Sequence, residues 1–128
     1  MQIDFRFRGV ESSEVLKDHL RRRLAFHLSR FGGEVSRVVV RIVDINGPKG
    51  GLDKQCQVMV RGPRIGSLTL DDVSEDTLSA SDMAIERMGR SIARELERLR
   101  TAQRRTGWLR RFKQRVGALR GPVLAVDD

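Results

Sequence analysis

Residues 74–99 read SEDTLSASDMAIERMGRSIARELERL. Leu78, Ser81, Ile85, Met88, Ile92, Leu96 and Leu99 recur there at spacings of three and four, the period of a helix with one face against a core. Ser74 precedes the run, and Glu75 and Asp76 fall in its predicted first turn, where carboxylates complement the positive end of the helix dipole. With Ile85 at zero on a wheel of 100° per residue, the core stripe lies within about 60°. Arg87, Arg90, Arg94 and Arg98 fall between about 140° and 220°, on the opposite side. Such a helix needs a second layer to cover its apolar stripe, and the preceding residues must supply it.

They do so with strands and a first helix. In residues 2–8, Ile3, Phe5 and Phe7 alternate with Gln2, Asp4, Arg6 and Arg8, a half-buried strand that Gly9 ends. Ser12 or Ser13 can cap a helix running to about Arg30, with Leu16, Leu20, Leu24, His27, Leu28 and Phe31 on its core face and Gly32-Gly33 as its stop. Residues 35–45 are β-branched, with Val38, Val40 and Ile42 on one face and Arg37, Val39, Arg41 and Val43 on the other. Asn46 to Gly51 reads as a turn. Residues 54–61 turn Cys56, Val58 and Val60 inward, Gly62-Pro63 reverses the chain, and Leu68 and Leu70 mark a fourth strand. The order is β-α-β-β-β-α. It predicts an α+β two-layer sandwich, a four-stranded sheet with two helices packed on one face. The first βαβ step should be a right-handed parallel crossover and the later pairs antiparallel.

The chain has 128 residues, the size of one domain, with 39% hydrophobic and 33% charged residues. One cysteine, Cys56, leaves no internal disulfide, and the N-terminal residues lack the apolar run of a secretory signal. Both features point to a reducing, cytoplasmic setting. The net charge is +8, with 25 basic residues against 17 acidic ones. Residues 1–100 contribute +3 and residues 101–128 contribute +5, so the tail carries most of the excess.

The arginines are the chemistry-bearing feature. Arg90, Arg94 and Arg98 repeat at i,i+4, where like charges weaken a helix by a few tenths of a kcal/mol. A ridge of four guanidinium groups about 16 Å long suits successive phosphates of a nucleic-acid backbone. A solvated face with interspersed signs is the plainer alternative, and Glu86–Arg90 fits it as an i,i+4 pair. The first helix adds Arg21, Arg22, Arg23 and Arg30. No catalytic constellation is visible. His19 and His27 lack metal-ligand neighbours in sequence, and His27 reads as a hydrogen-bonded core residue. The Gly47–Gly51 segment lacks the Gly-Lys-Ser/Thr of a phosphate loop. Asp71, Asp72, Glu75 and Asp76 read as helix-capping acids before they read as a magnesium site. The outer sheet face has Arg6, Arg8, Arg37, Arg41 and Arg61 but no aromatics to stack bases. These observations predict no enzyme, no metal and no cofactor.

Several features together resemble the ribosome hibernation promoting factor / ribosome-associated inhibitor family. They are the element order, the opening Met1-Gln2-Ile3, the stretch Val10 to Leu16, the helix end from Leu24 to Phe31, and the approach from Gly66 to Asp76. Arg87, Arg90, Arg94 and Arg98 match recurring basic positions of the family's second helix, and Arg23 one of its first. The resemblance implies a cytoplasmic, non-catalytic ribosome-binding domain over residues 1–100, in a short form of the family. It implies that the partners are the small ribosomal subunit and its 16S rRNA, and that there is no small-molecule substrate. It also implies inhibition of translation in slow growth or stress by occlusion of the mRNA and tRNA sites. The RNA-contacting set is then Arg22, Arg23, Arg30, Arg87, Arg90, Arg94 and Arg98.

Residues 101–121 read TAQRRTGWLRRFKQRVGALRG. Trp108, Leu109, Phe112, Val116 and Leu119 recur at helical spacing among basic residues, while Gly107, Gly117 and Gly121 weaken a helix. Three readings of this tail stand side by side. It can track RNA through Arg104, Arg105, Trp108, Arg110 and Arg111. It can lie on an anionic membrane. It can fold back on the body or stay mobile. The rival function is a protein- or membrane-interaction adaptor that uses this tail.

Overall fold

A computed structural model describes residues 1–45 and 53–120. The strands are β1 (Gln2–Arg8), β2 (Arg37–Asp44), β3 (Lys54–Gly62) and β4 (Gly66–Ser74), and the helices α1 (Glu14–Leu28) and α2 (Thr77–Arg120). The predicted β-α-β-β-β-α order holds. The sheet order is β1-β2-β3-β4. β1 runs parallel to β2 with Phe5 opposite Val40, and β2/β3 and β3/β4 are antiparallel. The Asn46–Gly51 turn and the last residues of the tail, 121–128, lie outside the described residues.

The core follows from the alternation. Val38, Val40 and Ile42 of β2 and Cys56, Val58 and Val60 of β3 are fully buried. Leu20, Leu24 and Leu28 of α1 and Ala80, Ala84, Ile85, Met88 and Ile92 of α2 are buried with them. The edge strands are less covered, with Ile3, Phe5, Phe7, Leu68 and Leu70 half-buried. Gly89 lets the helices approach closely, since a Cβ there would stand 3.4 Å from the His27 carbonyl oxygen.

Local chemistry sets the element ends. Ser13 caps α1 by accepting a hydrogen bond from the Leu16 N–H at 3.1 Å. The helix ends at Leu28, earlier than Arg30, and continues as a 3-10 segment, Ser29–Glu34, in which Gly32 takes φ 55°. Gly62 and Gly66 face each other across the β3–β4 reversal, and Gly66 has φ 68°. A three-residue hairpin of this kind needs a left-handed residue there. Asp76, not Ser74, accepts the Ser79 N–H at 3.1 Å at the start of α2. The acidic pair therefore precedes the helix and does not form its first turn.

Several side-chain expectations are not met. Leu78 is 42% exposed, because it stands in the open first turn of α2, while Ala80 is fully buried. Leu16, Phe31 and Leu99 are only half-buried. His27 Nε2 is buried without a hydrogen-bond partner among the described residues, and its ring packs edge-on to Phe26 at 5.0 Å.

The chain divides into two units, residues 1–94 and 95–128. The boundary falls within α2. In the second unit the helix continues through Gly107 to Arg120.

Candidate nucleic-acid interface

Most of the predicted arginines are solvent-exposed, with Arg23 half-buried, but most do not stand free. On α2, Arg87 Nη1 lies 2.8 Å from Asp72 Oδ2 and donates to the Asp71 carbonyl oxygen at 3.1 Å. Arg90 donates to Glu86 at 2.7 Å. Arg94 has no carboxylate partner among the described residues and reaches only the Ser91 hydroxyl at 3.3 Å. In the second unit, Arg98 holds Glu95 at 2.6 Å, and this hydrogen bond keeps the Glu95 carboxyl below its ordinary range. The unbroken ridge of free guanidinium groups is therefore corrected. Glu86 and Glu95 compensate their neighbours along the helix, and Asp72 reaches Arg87 from β4.

These pairs remain exchangeable. The side chains of Arg87, Arg90 and Arg98 are 47%, 59% and 66% exposed. Ion pairs at such exposure contribute little and weaken with salt. A phosphate can take either guanidinium edge bidentately.

On α1, Arg22 is exposed and has no ion pair among the described residues. Arg23 is half-buried, with Nε 3.3 Å from Asp82 Oδ1, which also lies 3.2 Å from His19 Nε2. Asp82 thus ties α1 to α2 and holds Arg23 in place. Arg30 lies over the Phe31 ring at 4.6 Å. Sequence periodicity missed Phe26, which is 75% exposed with Arg23 above its ring at 5.9 Å. The helical wheel carried the signal: Phe26 falls about 40° from both Arg22 and Arg30, away from the leucine stripe. An exposed aromatic among arginines offers a stacking surface.

In the second unit, Arg104 reaches Glu97 at 3.3 Å. Arg105, Arg110 and Arg111 are exposed and have no carboxylate partner among the described residues. Trp108 and Phe112 stack at 5.4 Å with 15° between their planes, and they are 55% and 49% exposed. The helix therefore presents aromatic and cationic groups together to solvent.

The remaining polar chemistry is structural. Cys56 is buried, and burial pushes its thiol up to about 12. Asp53 is buried beside Lys54, with Lys54 Nζ 3.0 Å from its carboxylate, and this contact raises the Lys54 ammonium above its ordinary range. Among the described residues no group of three or more His, Cys, Asp or Glu side chains could hold a metal ion. No helix among them is long and apolar enough to cross a membrane.

Comparison with known proteins agrees with this architecture. A ribosomal subunit interface protein of Coxiella burnetii superposes with a TM-score of 0.62 at 18% identity, over 73% of this chain and 96% of that one. The N-terminal domain of Protein Y of Thermus thermophilus gives a TM-score of 0.60 at 21% identity, over 73% of this chain and 98% of that one. No curated protein matches. The family model of the sigma 54 modulation protein / S30EA ribosomal protein matches residues 3–100. The chain thus belongs to the sigma 54 modulation protein / S30EA ribosomal protein family, the ribosome-associated hibernation factors that its residues resemble.

Proposed function

We propose that the protein is a non-enzymatic, cytoplasmic inhibitor of translation. It binds 16S rRNA of the small ribosomal subunit and blocks the sites of mRNA and tRNA when growth slows. The observation that carries this reading is the set of arginines on two helices packed against one sheet, Arg22 and Arg23 on α1 and Arg87, Arg90 and Arg94 on α2, together with Arg30 in the 3-10 segment and Arg98 in the second unit. Guanidinium groups suit the task because their planar forks match phosphate oxygens. The inhibition is steric and needs no cofactor. Arg104, Arg105, Trp108, Arg110 and Arg111 extend the RNA contact, with Trp108 and Phe112 as stacking groups.

Salt dependence is the physical signature. About six phosphate contacts would cost roughly 10³-fold in affinity between 50 and 200 mM salt. The deciding experiment is a sucrose gradient of lysate with full-length variants. Arg90→Glu/Arg94→Glu should leave the small-subunit fractions, while Arg110→Glu/Arg111→Glu should weaken co-migration without abolishing it. Retention of the α2 variant with loss of the tail variant would give the role to a tail-based adaptor.

A further inference from the structure

The sheet face opposite the helices carries a second cationic surface. Cross-strand register puts Arg6 of β1 beside Arg41 of β2, and Arg41 beside Gln57 of β3. Arg8 follows Arg6 on the same face, about 7 Å along the strand. Like charges directly opposite each other weaken a sheet. Arg37 on this face is neutralised by Asp4 at 2.6 Å, and Asp71 is engaged by Gln55 at 2.9 Å. Arg6, Arg8 and Arg41 have no carboxylate partner among the described residues, although acids stand on the same face. They line an open groove of about 420 Å³ with Phe7, Gln57, Val39 and Met59. Arg41 also lines an adjoining groove of about 250 Å³ with Val43, Gln55 and Gln57.

We propose that this groove is a second phosphate-binding surface, which takes the backbone of a single RNA strand between Arg6, Arg8 and Arg41. The charge selects an anion, since a second copy of the same face would bring guanidinium groups against guanidinium groups. The choice of RNA over an acidic peptide rests on the RNA-binding reading above. Val39 and Met59 offer apolar contact to a sugar or base, and Gln57 adds an amide that can donate and accept. Phe7 borders the groove, but strand alternation turns its ring toward the helices, so the groove holds backbone and does not read bases by stacking. The body would then meet RNA on both of its layers, through the helices on one side and the bare sheet on the other.

The test compares the full chain with Arg6→Gln/Arg41→Gln, and each again in the Arg90→Glu/Arg94→Glu background. The probe is a labelled single-stranded oligouridylate, titrated at several salt concentrations, with poly-glutamate as competitor. The sheet variant should bind about tenfold more weakly in both backgrounds. Its salt slope should fall by about 1.4, the value for two lost phosphate contacts on a single strand. Its thermal midpoint should be equal or higher, because a like-charge pair is relieved. Affinity and slope unchanged by the sheet substitutions would overturn the proposal. So would displacement of the RNA by poly-glutamate at equal charge concentration, which would make the face a protein-docking site. Loss in the sheet variant with full affinity in the α2 variant would support the sheet surface while removing the helix-centred reading.

Discussion

The Arg87 guanidinium lies 2.8 Å from the Asp72 carboxylate, so the chain supplies its own competitor for any phosphate at that position. Asp72 Oδ2 is buried and makes no aligned hydrogen bond. The contact is thus electrostatic rather than directional. Asp72→Asn keeps the shape and removes the competing charge. It should strengthen binding to small subunits about threefold and steepen the salt slope, as one more guanidinium becomes available. Equilibrium titrations at 50 and 200 mM salt would check this; weaker binding would mean that Asp72 positions Arg87 for RNA.

Arg94 and Arg98 should not be equivalent. Arg94 has only a hydroxyl partner, whereas Arg98 must first release Glu95. Arg94→Ala should therefore cost more affinity than Arg98→Ala, by about threefold to tenfold, with little change in stability at either surface site. Filter binding with urea unfolding as control reads both quantities, and equal losses would remove the role given to self-pairing.

His27 should make stability sensitive to acid. Burial and the Arg23 charge hold its pKa below the ordinary value, with Arg30 adding to them and Glu86 and Asp82 opposing. A depressed pKa means that the unfolded chain takes up the proton first, so stability is full above about pH 6.5 and falls as pH drops through the folded value. Because Nε2 has no partner, His27→Leu should raise the urea midpoint and flatten its pH dependence between pH 7.5 and 5. An unchanged slope in the variant would assign the acid sensitivity to other groups.

Gly62 should resist substitution by alanine. A Cβ there would stand 1.8 Å from the Glu34 carbonyl oxygen, so the 3-10 segment or the end of β3 must move. Overpacking of this kind costs about 1–3 kcal/mol or more. Thermal unfolding of Gly62→Ala checks this, and a midpoint within a degree of the parent would show that the segment yields freely.

Trp108 offers an optical readout for the tail. Its ring is exposed and stacked on Phe112. RNA binding should change its fluorescence, and Trp108→Ala should weaken single-strand binding by about 1–3 kcal/mol if one base stacks there. An unresponsive emission at saturating RNA would leave the tail's contacts to its arginines alone.

The sheet and the faces of both helices were legible because period and burial agree in them. Ile3, Phe5 and Phe7 alternate, the leucines of α1 recur, and Gly62 marks the β3–β4 reversal. Leu78 misled because it keeps the stripe's phase but stands in the open first turn of α2. Phe26 carries no periodic signal because it stands on the polar side of α1, off the leucine stripe. The Arg87–Asp72 contact joins a strand to a helix and depends on register, so no spacing along the chain announces it. Glu86 and Glu95 were visible as neighbours, yet which arginine each would hold depends on rotamers. The position of the outward arginines was therefore readable, while their degree of freedom was not.

The mixed pairing of the sheet also orders assembly in time. β3 and β4 are joined by a three-residue reversal and can zip with little loop-closure entropy. β1 must close over the whole of α1 before its parallel partners meet, with Gln2 opposite Arg37. The hairpin is thus placed to nucleate, and β1 to dock late.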